Sequence, residues 1–339
     1  MKTNDAFVAF GELLLRLSAH DHENLLQSPS LKVFVGGAEA NVAVSLAQMG
    51  HRTRFASVIP ANHLGRGARN ELRRYGVDTR FVQEGEGRMG LYFLTPGAIR
   101  RSPDVLYDRA GSAIAVAAPD AIAWAPVFEG AGWFHVSGIT AAVGQNAADA
   151  AIRAARAAKA AGLTVSFDCN YRQKLWEAWN GDGPAILRRL LAEADVLFGD
   201  HRDIALILGM RFAEDPEIAR RAAAETVFQH FPNIKRMACT YRVQHSVDHH
   251  DMTGYLFSPE GSWTTASLPL TPIVDRIGGG DAFASGVIHG LMKDWSGQRT
   301  LDYGVAAAGI KHALPGDFNL ATESEILAAL SAEGLDVRR

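Results

Sequence analysis

The sequence predicts an α/β protein with a mostly parallel central sheet covered by helices on both faces. Three observations carry this. Apolar runs of strand length alternate with helix-patterned segments along most of the chain, the rhythm that parallel pairing requires. Early helix patterns close on a glycine, Gly50 and Gly76, as helix C-termini commonly do. The 339 residues carry no internal repeat and no low-complexity linker, so one domain over 5–330 accommodates them.

Taken in order, residues 6–11 read as a first buried strand and 13–18 as a less regular one. A polar, turn-rich stretch leads to the alternating segment 31–35, which ends at Gly36-Gly37. Residues 38–49 have helical periodicity, 53–58 strand character and 62–75 helical periodicity again. Segments 88–94 and 105–109 are strand-like, flank Thr95-Pro96-Gly97 and interrupt the rhythm. Together with the early strands they predict a small sheet inserted at about 13–35 and 88–110. From Gly132 the rhythm resumes: strand 133–137, alanine-rich helix 145–161, strand 164–168, helix 184–192, strand 196–198, helix 203–208 and amphipathic helix 217–230. Strands 236–240 and 252–257 follow, then a helix starting near Asp281 and a second, 301–313, beside it. Thr322 opens a last helix, 323–332, as its N-cap, and the final residues are expected to fray.

The formal net charge of −3 leaves no basic footprint for nucleic acid. Cys169 and Cys239, far apart in sequence, make no disulfide framework, and a reducing cytoplasm is the simpler setting. The N-terminus runs straight into a strand with no leader pattern, and no apolar run spans a bilayer; 113–128 is broken by Pro119, Asp120 and Pro126.

The chemistry is expected at Asp275-Arg276-Ile277-Gly278-Gly279-Gly280-Asp281. Glycines before a helix leave backbone N–H groups uncovered at the positive end of its dipole, an anion site. Asp281 at the helix mouth is badly placed to bind phosphate and well placed to take a proton from an attacking hydroxyl. The stretch therefore points to phosphoryl transfer to an alcohol, with Asp281 as base and Gly278, Gly279 and Gly280 holding phosphate charge. A glycine run is also a common tight turn, and Asp a common N-cap. No Gly-Lys-Ser/Thr follows, which excludes a Walker loop, and no G-x-G-x-x-G follows the first strand, which disfavours a dinucleotide-dependent oxidoreductase.

The Asp-x-x-Gly-x-Gly-Asp pattern resembles the C-terminal signature of the ribokinase-like (PfkB) carbohydrate kinases. Gly36-Gly37-Ala38-Glu39-Ala40-Asn41, then Gly50 and Gly65, resemble the N-terminal one. Gly11-Glu12, the run from Tyr107 to Ala113 and Phe167-Asp168-Cys169-Asn170-Tyr171-Arg172 resemble the 2-keto-3-deoxygluconate kinases of that family. The resemblance covers roughly 6–325 and departs at Arg276, where the family has Thr, and at Gly279, where it has Ala. It implies a three-layer α/β/α fold with a β-sheet lid over the sugar, often a dimer contact, and ATP and Mg²⁺ as donor and cofactor. It places Gly36, Gly37 and Asn41 at the sugar, with Tyr92, Tyr107, Arg109 and Arg172 on a sugar acid. Asp317 falls near the substrate, Asp200 and Asp203 near the magnesium through water, and a monovalent cation such as K⁺ near Asp275.

The residues themselves bear on some of this. Tyr107 and Arg109, two apart on a strand, share a face. A guanidinium makes little sense for a neutral hexose and good sense for a carboxylate, which it grips bidentately; the alternative for such arginines is a surface salt bridge. Asn41 also fits a bond within the fold, Asp203 a first-turn helix acid, and Pro315-Gly316-Asp317 a plain turn. Arg276 either adds charge near the phosphates or pairs with a surface acid. His245, Asp248, His249, His250 and Asp251 lack a recognised metal spacing and read as a solvated loop. The leading reading is an ATP-dependent sugar-acid kinase. Alternatives are the same chemistry on fructose or ribose, or a non-catalytic sugar or nucleotide sensor on the same fold.

Overall fold

The computed structural model describes residues 5–331; position 332, the last of the final predicted helix, and the tail expected to fray lie outside the described residues. The chain begins β1 (Ala6–Phe10), β2 (Leu14–Ser18), β3 (Lys32–Gly36), α1 (Ala38–Gln48), β4 (Thr53–Pro60), α2 (His63–Arg74) and β5 (Val82–Gly85). There follow β6 (Gly90–Thr95), β7 (Asp104–Asp108), α3 (Ala113–Val116), α4 (Trp124–Phe128), β8 (Ala131–Ser137), α5 (Gly138–Ala141), α6 (Gln145–Ala160) and β9 (Thr164–Asp168). Next come α7 (Gln173–Glu177), α8 (Gly183–Leu191), β10 (Val196–Phe198), α9 (His201–Leu208), α10 (Pro216–His230), β11 (Arg236–Gln244) and β12 (His250–Ser258). The chain closes with β13 (Gly261–Thr264), β14 (Leu268–Leu270), α11 (Gly279–Met292), α12 (Gly297–His312) and α13 (Glu323–Leu330).

The large sheet runs β13-β12-β11-β10-β9-β8-β1-β4-β5, with β14 also on β12. Every pair from β5 to β11 is parallel; β12 turns back antiparallel and carries β13 and β14 antiparallel in turn. Burial on both faces explains the unbroken apolar sequence of β1. Its alternate residues serve opposite layers: Ala6, Val8 and Phe10 join the core under α6 and α8, Phe7 and Ala9 the core under α1, α11 and α12.

The inserted strands form a separate sheet in the order β3-β2-β6-β7, antiparallel except for the parallel β2–β6 pair. One face carries Leu14, Tyr92 and Leu94 and packs with Val105, Tyr107 and Ile277, the last from the glycine stretch. The sheet is thereby anchored over the C-terminal ends of the parallel strands, where open α/β sheets hold their ligands.

Some boundaries move for physical reasons. Helix α9 starts at His201, not 203, because Asp200 and Asp203 form a capping box. Helix α12 starts at Gly297, with Ser296 as its N-cap. The expected loop at 245–251 shrinks to a hairpin turn, because β11 and β12 stay paired out to Gln244 and His250. No helix among the described residues is long and apolar enough to cross a membrane.

Candidate active site

A cleft of about 500 Å³ opens where strand ends, lid and glycine stretch meet. Among its walls are Gly37, Asn41, Tyr92, Tyr107, Arg109, Asp168, Arg172, Asp200, Asp203, Gly278, Gly279, Gly280, Asp281 and Asp317. Thirteen of the fifteen site residues expected from the sequence therefore line one cleft, and Asp168, which the sequence marks only as part of a motif, lies beside them. Gly36 and Asp275 do not line the cleft.

The glycines have separate reasons to be glycine. Gly278 caps α11 at φ 77°, and a Cβ there would lie 2.0 Å from the Asp317 carbonyl oxygen. A Cβ on Gly279 would meet the His312 ring at 2.6 Å, whereas one on Gly280 would meet nothing and point into open space. No side chain caps this helix; the Gly279 amide reaches the Arg276 carbonyl at 3.4 Å, and among the described residues the Gly280 and Asp281 amides are left for a ligand. Buried Lys311 lies under Gly278 and donates to the Leu314 carbonyl at 2.8 Å. Burial pulls its ammonium down to about 8, against the pull of Asp275.

Asp281 stands in the first turn of α11 and is not its N-cap. Its Oδ2 accepts a 2.7 Å hydrogen bond from Asn41 Nδ2, while Asn41 Oδ1, buried, has no partner. Burial raises the Asp281 carboxyl to about 6, with the Asn41 bond and Arg172 opposing. A carboxylate raised toward neutrality at the mouth of an amide-lined helix end has the chemistry to accept a proton near neutral pH.

The lid wall is a network of charges. Arg16, on β2 and 1 % exposed, gives Nη1 and Nη2 to Asp275 at 3.1 and 2.6 Å and sets Nε 3.1 Å from Asp317 Oδ1. Tyr92 donates its hydroxyl to Asp317 Oδ2 at 2.7 Å. Gly36 lies behind this network: a Cβ there would strike Asp317 Oδ2 at 2.3 Å. Arg109 is buried and gives Nε to Glu12 at 2.5 Å, with Nη1 and Nη2 unbonded among the described residues. Arg172, across the cleft, is exposed and forms no ion pair among the described residues.

This geometry meets independent comparisons. The family model described as pfkB family carbohydrate kinase matches residues 4–320. The chain belongs to the pfkB family of carbohydrate kinases. It is 32 % identical over 319 residues to a 2-dehydro-3-deoxygalactonokinase of Haloferax volcanii, covering 94 % of each chain. A crystal structure of 2-dehydro-3-deoxygluconokinase from Thermotoga maritima superposes with a TM-score of 0.90 at 36 % identity, covering 97 % of this chain and 98 % of that one. A 5-dehydro-2-deoxygluconokinase of Shouchella clausii is 26 % identical over 306 residues, 89 % of this chain and 88 % of the other.

In this carbohydrate kinase, two of the expected ion ligands have protein partners. Arg202 holds Asp200 Oδ2 at 2.5 and 2.9 Å, and Asp200 Oδ1 accepts the Arg202 amide at 2.8 Å. The Arg16 guanidinium donates to both oxygens of Asp275. Asp168 and Asp203 do fit a hard cation. Burial together with neighbouring carboxylates raises both, Asp203 to about 6, and a divalent ion or its waters would relieve that repulsion.

Sequence reasoning missed Glu12 and Asp168 as individual actors, and missed Arg16, Lys311, Arg242 and His312 altogether. Arg16 had a signal: it is the lone charge among the leucines of a strand. The hairpin brings His245, His249 and Asp251 within 4.8 Å, with His245 Nε2 hydrogen-bonded to Asp251 at 2.7 Å, outside the cleft.

Proposed function

We propose that this kinase transfers the γ-phosphoryl group of ATP to the terminal hydroxyl of 2-keto-3-deoxygluconate or its galacto epimer. The observation that carries the chemistry is the 2.7 Å contact of Asn41 with Asp281 at the uncapped start of α11. It fixes one carboxylate oxygen and leaves the other for the acceptor's proton. Asp281 takes that proton as the hydroxyl oxygen bonds to the γ-phosphorus and the bond to the leaving ADP breaks. The amides of the glycine turn and the positive end of α11 hold the developing phosphate charge. Magnesium, when bound with the nucleotide, neutralises phosphate charge; Asp168 and Asp203 are the residues that would hold it or its waters.

Substrate choice rests on Arg172 and on the free nitrogens of Arg109, which we assign to the acceptor's carboxylate. The names of the relatives support an acid acceptor, since each is a kinase of a dehydro-deoxy sugar acid. One observation favours a second reading, a neutral sugar: Glu12 already neutralises Arg109. We also read the kinase as a homodimer through the outer face of the lid.

An ADP-release assay with ATP and Mg²⁺ separates these. The panel holds both keto-deoxy epimers, gluconate, fructose and ribose. Turnover of the keto-deoxy acids, lost in Asp281→Asn and weakened in substrate affinity by Arg172→Gln, is the expected result. Turnover of fructose or ribose alone would discard the carboxylate assignment and keep the kinase. Binding without any turnover would overturn the catalytic reading.

A further inference from the structure

We propose that Arg242 and Arg276 together clamp the phosphates of the donor nucleotide. The inference rests on the kinase reading and adds two residues to it. Arg242 lies on β11 and Arg276 two residues before Gly278, and both line the cleft. Arg242 comes from the last parallel-paired strand of the large sheet and Arg276 from the loop that leads into α11, whereas Tyr92 and Tyr107 reach the cleft from the lid strands and Arg109 from just past β7. The glycine turn and Asp281 stand between the two groups in the chemistry, so the lid side faces the acceptor and the Arg242 side the donor.

Neither arginine has a partner. Among the described residues, no carboxylate pairs with Arg242 or Arg276, and Arg242 Nε is buried without a hydrogen bond. Nearby acids are already engaged: Asp275 and Asp317 with Arg16, Asp200 with Arg202, Asp281 with Asn41. The two guanidiniums repel each other, and burial together with Arg276 brings Arg242 down to about 10. The other basic groups of the cluster, buried His250 and His312, are held neutral by burial and by these arginines. His312 packs on Gly279, which ties the cluster to the anion-binding turn, and its Nε2 has no partner.

Two half-buried, uncompensated guanidiniums beside amide donors are costly in an empty cleft and favourable around a polyanion. A carboxylate would satisfy one of them. A triphosphate satisfies both, and their planar forks match phosphate oxygens bidentately.

Calorimetric titration of the whole protein with inorganic tripolyphosphate, and separately with adenosine, tests this without turnover. Arg242→Gln and Arg276→Gln are each expected to weaken tripolyphosphate about tenfold and to leave adenosine unchanged, with Arg→Lys recovering part of the loss. The KM for ATP should rise by a similar factor while that for the sugar acid stays constant. Thermal melting of each variant controls for folding. Tripolyphosphate affinity within twofold of wild type in both variants would overturn the clamp, as would a rise in the sugar-acid KM alone. If no sugar turns over but tripolyphosphate binding is lost in the variants, the clamp stands and the acceptor assignment falls.

Discussion

At the scale of single residues, the cleft holds carboxylates against their preference. Asp281 is raised to about 6, chiefly by burial. A carboxylate whose folded value lies above its unfolded one favours the fold while protonated. That stability is present at low pH and lost as pH rises through about 6. Asp281→Asn removes the charge and keeps an acceptor for Asn41, so it should raise the melting temperature at pH 7.5 while abolishing phosphorylation. A melting temperature at or below wild type would count against the burial argument. The same group sets a pH profile. Below about 6 the base carries a proton, and kcat should fall by about tenfold per pH unit. A flat profile down to pH 5 would exclude Asp281 as the titrating base.

At the scale of elements, α11 and β2 do different work. The turn into α11 needs glycine twice for packing and once for space. Gly278→Ala puts a Cβ against a backbone oxygen at positive φ and should destabilise strongly, with much of the protein insoluble. Gly280→Ala should melt like wild type and lose phosphorylation, because its Cβ intrudes only where phosphate is expected. Equal loss of stability in both would contradict this division. Strand β2 contributes Arg16, which ties the lid to the turn before α11 and to Asp317. Arg16→Met leaves buried Asp317 and half-buried Asp275 uncompensated and should cost about 3 kcal/mol in denaturant unfolding. Adding Asp275→Asn and Asp317→Asn should return most of it. Such cross-links explain what was and was not legible in the sequence. The meeting of the glycine stretch and Asp281 in one cleft was readable, because they are neighbours in sequence at a helix start. Periodicity also gave the strands and long helices. The Arg16–Asp275 pair joins residues 259 positions apart, and nothing local marks it. The Asp200–Arg202 pair is illegible for a different reason: Arg202, two residues on, folds back onto Asp200 only once α9 exists.

At the scale of the molecule, one face of the lid closes the cleft, and the chain covers the other only at the end that carries Leu15, Val35 and Leu91. Across the outer face, Val33, Leu17, Phe93 and Leu106 stand in register on the four strands. Val33 and Leu106 are 58 % and 59 % exposed. An apolar row spanning a whole sheet is unusual on a monomer and suits a partner surface. A twofold pairing of two lids would cover it with the same row from a second copy, since a twofold interface is self-complementary. Pairing there would also stiffen β2 and β6, and with them Arg16 and Tyr92, so assembly and substrate closure would be linked. Leu106→Asp combined with Val33→Asp should therefore convert a dimer to a monomer in sedimentation velocity. The variant should keep its secondary structure and show a higher KM for the sugar acid. A wild type that sediments as a monomer at micromolar concentration would rule this pairing out. A dimer that survives both substitutions would place the interface elsewhere.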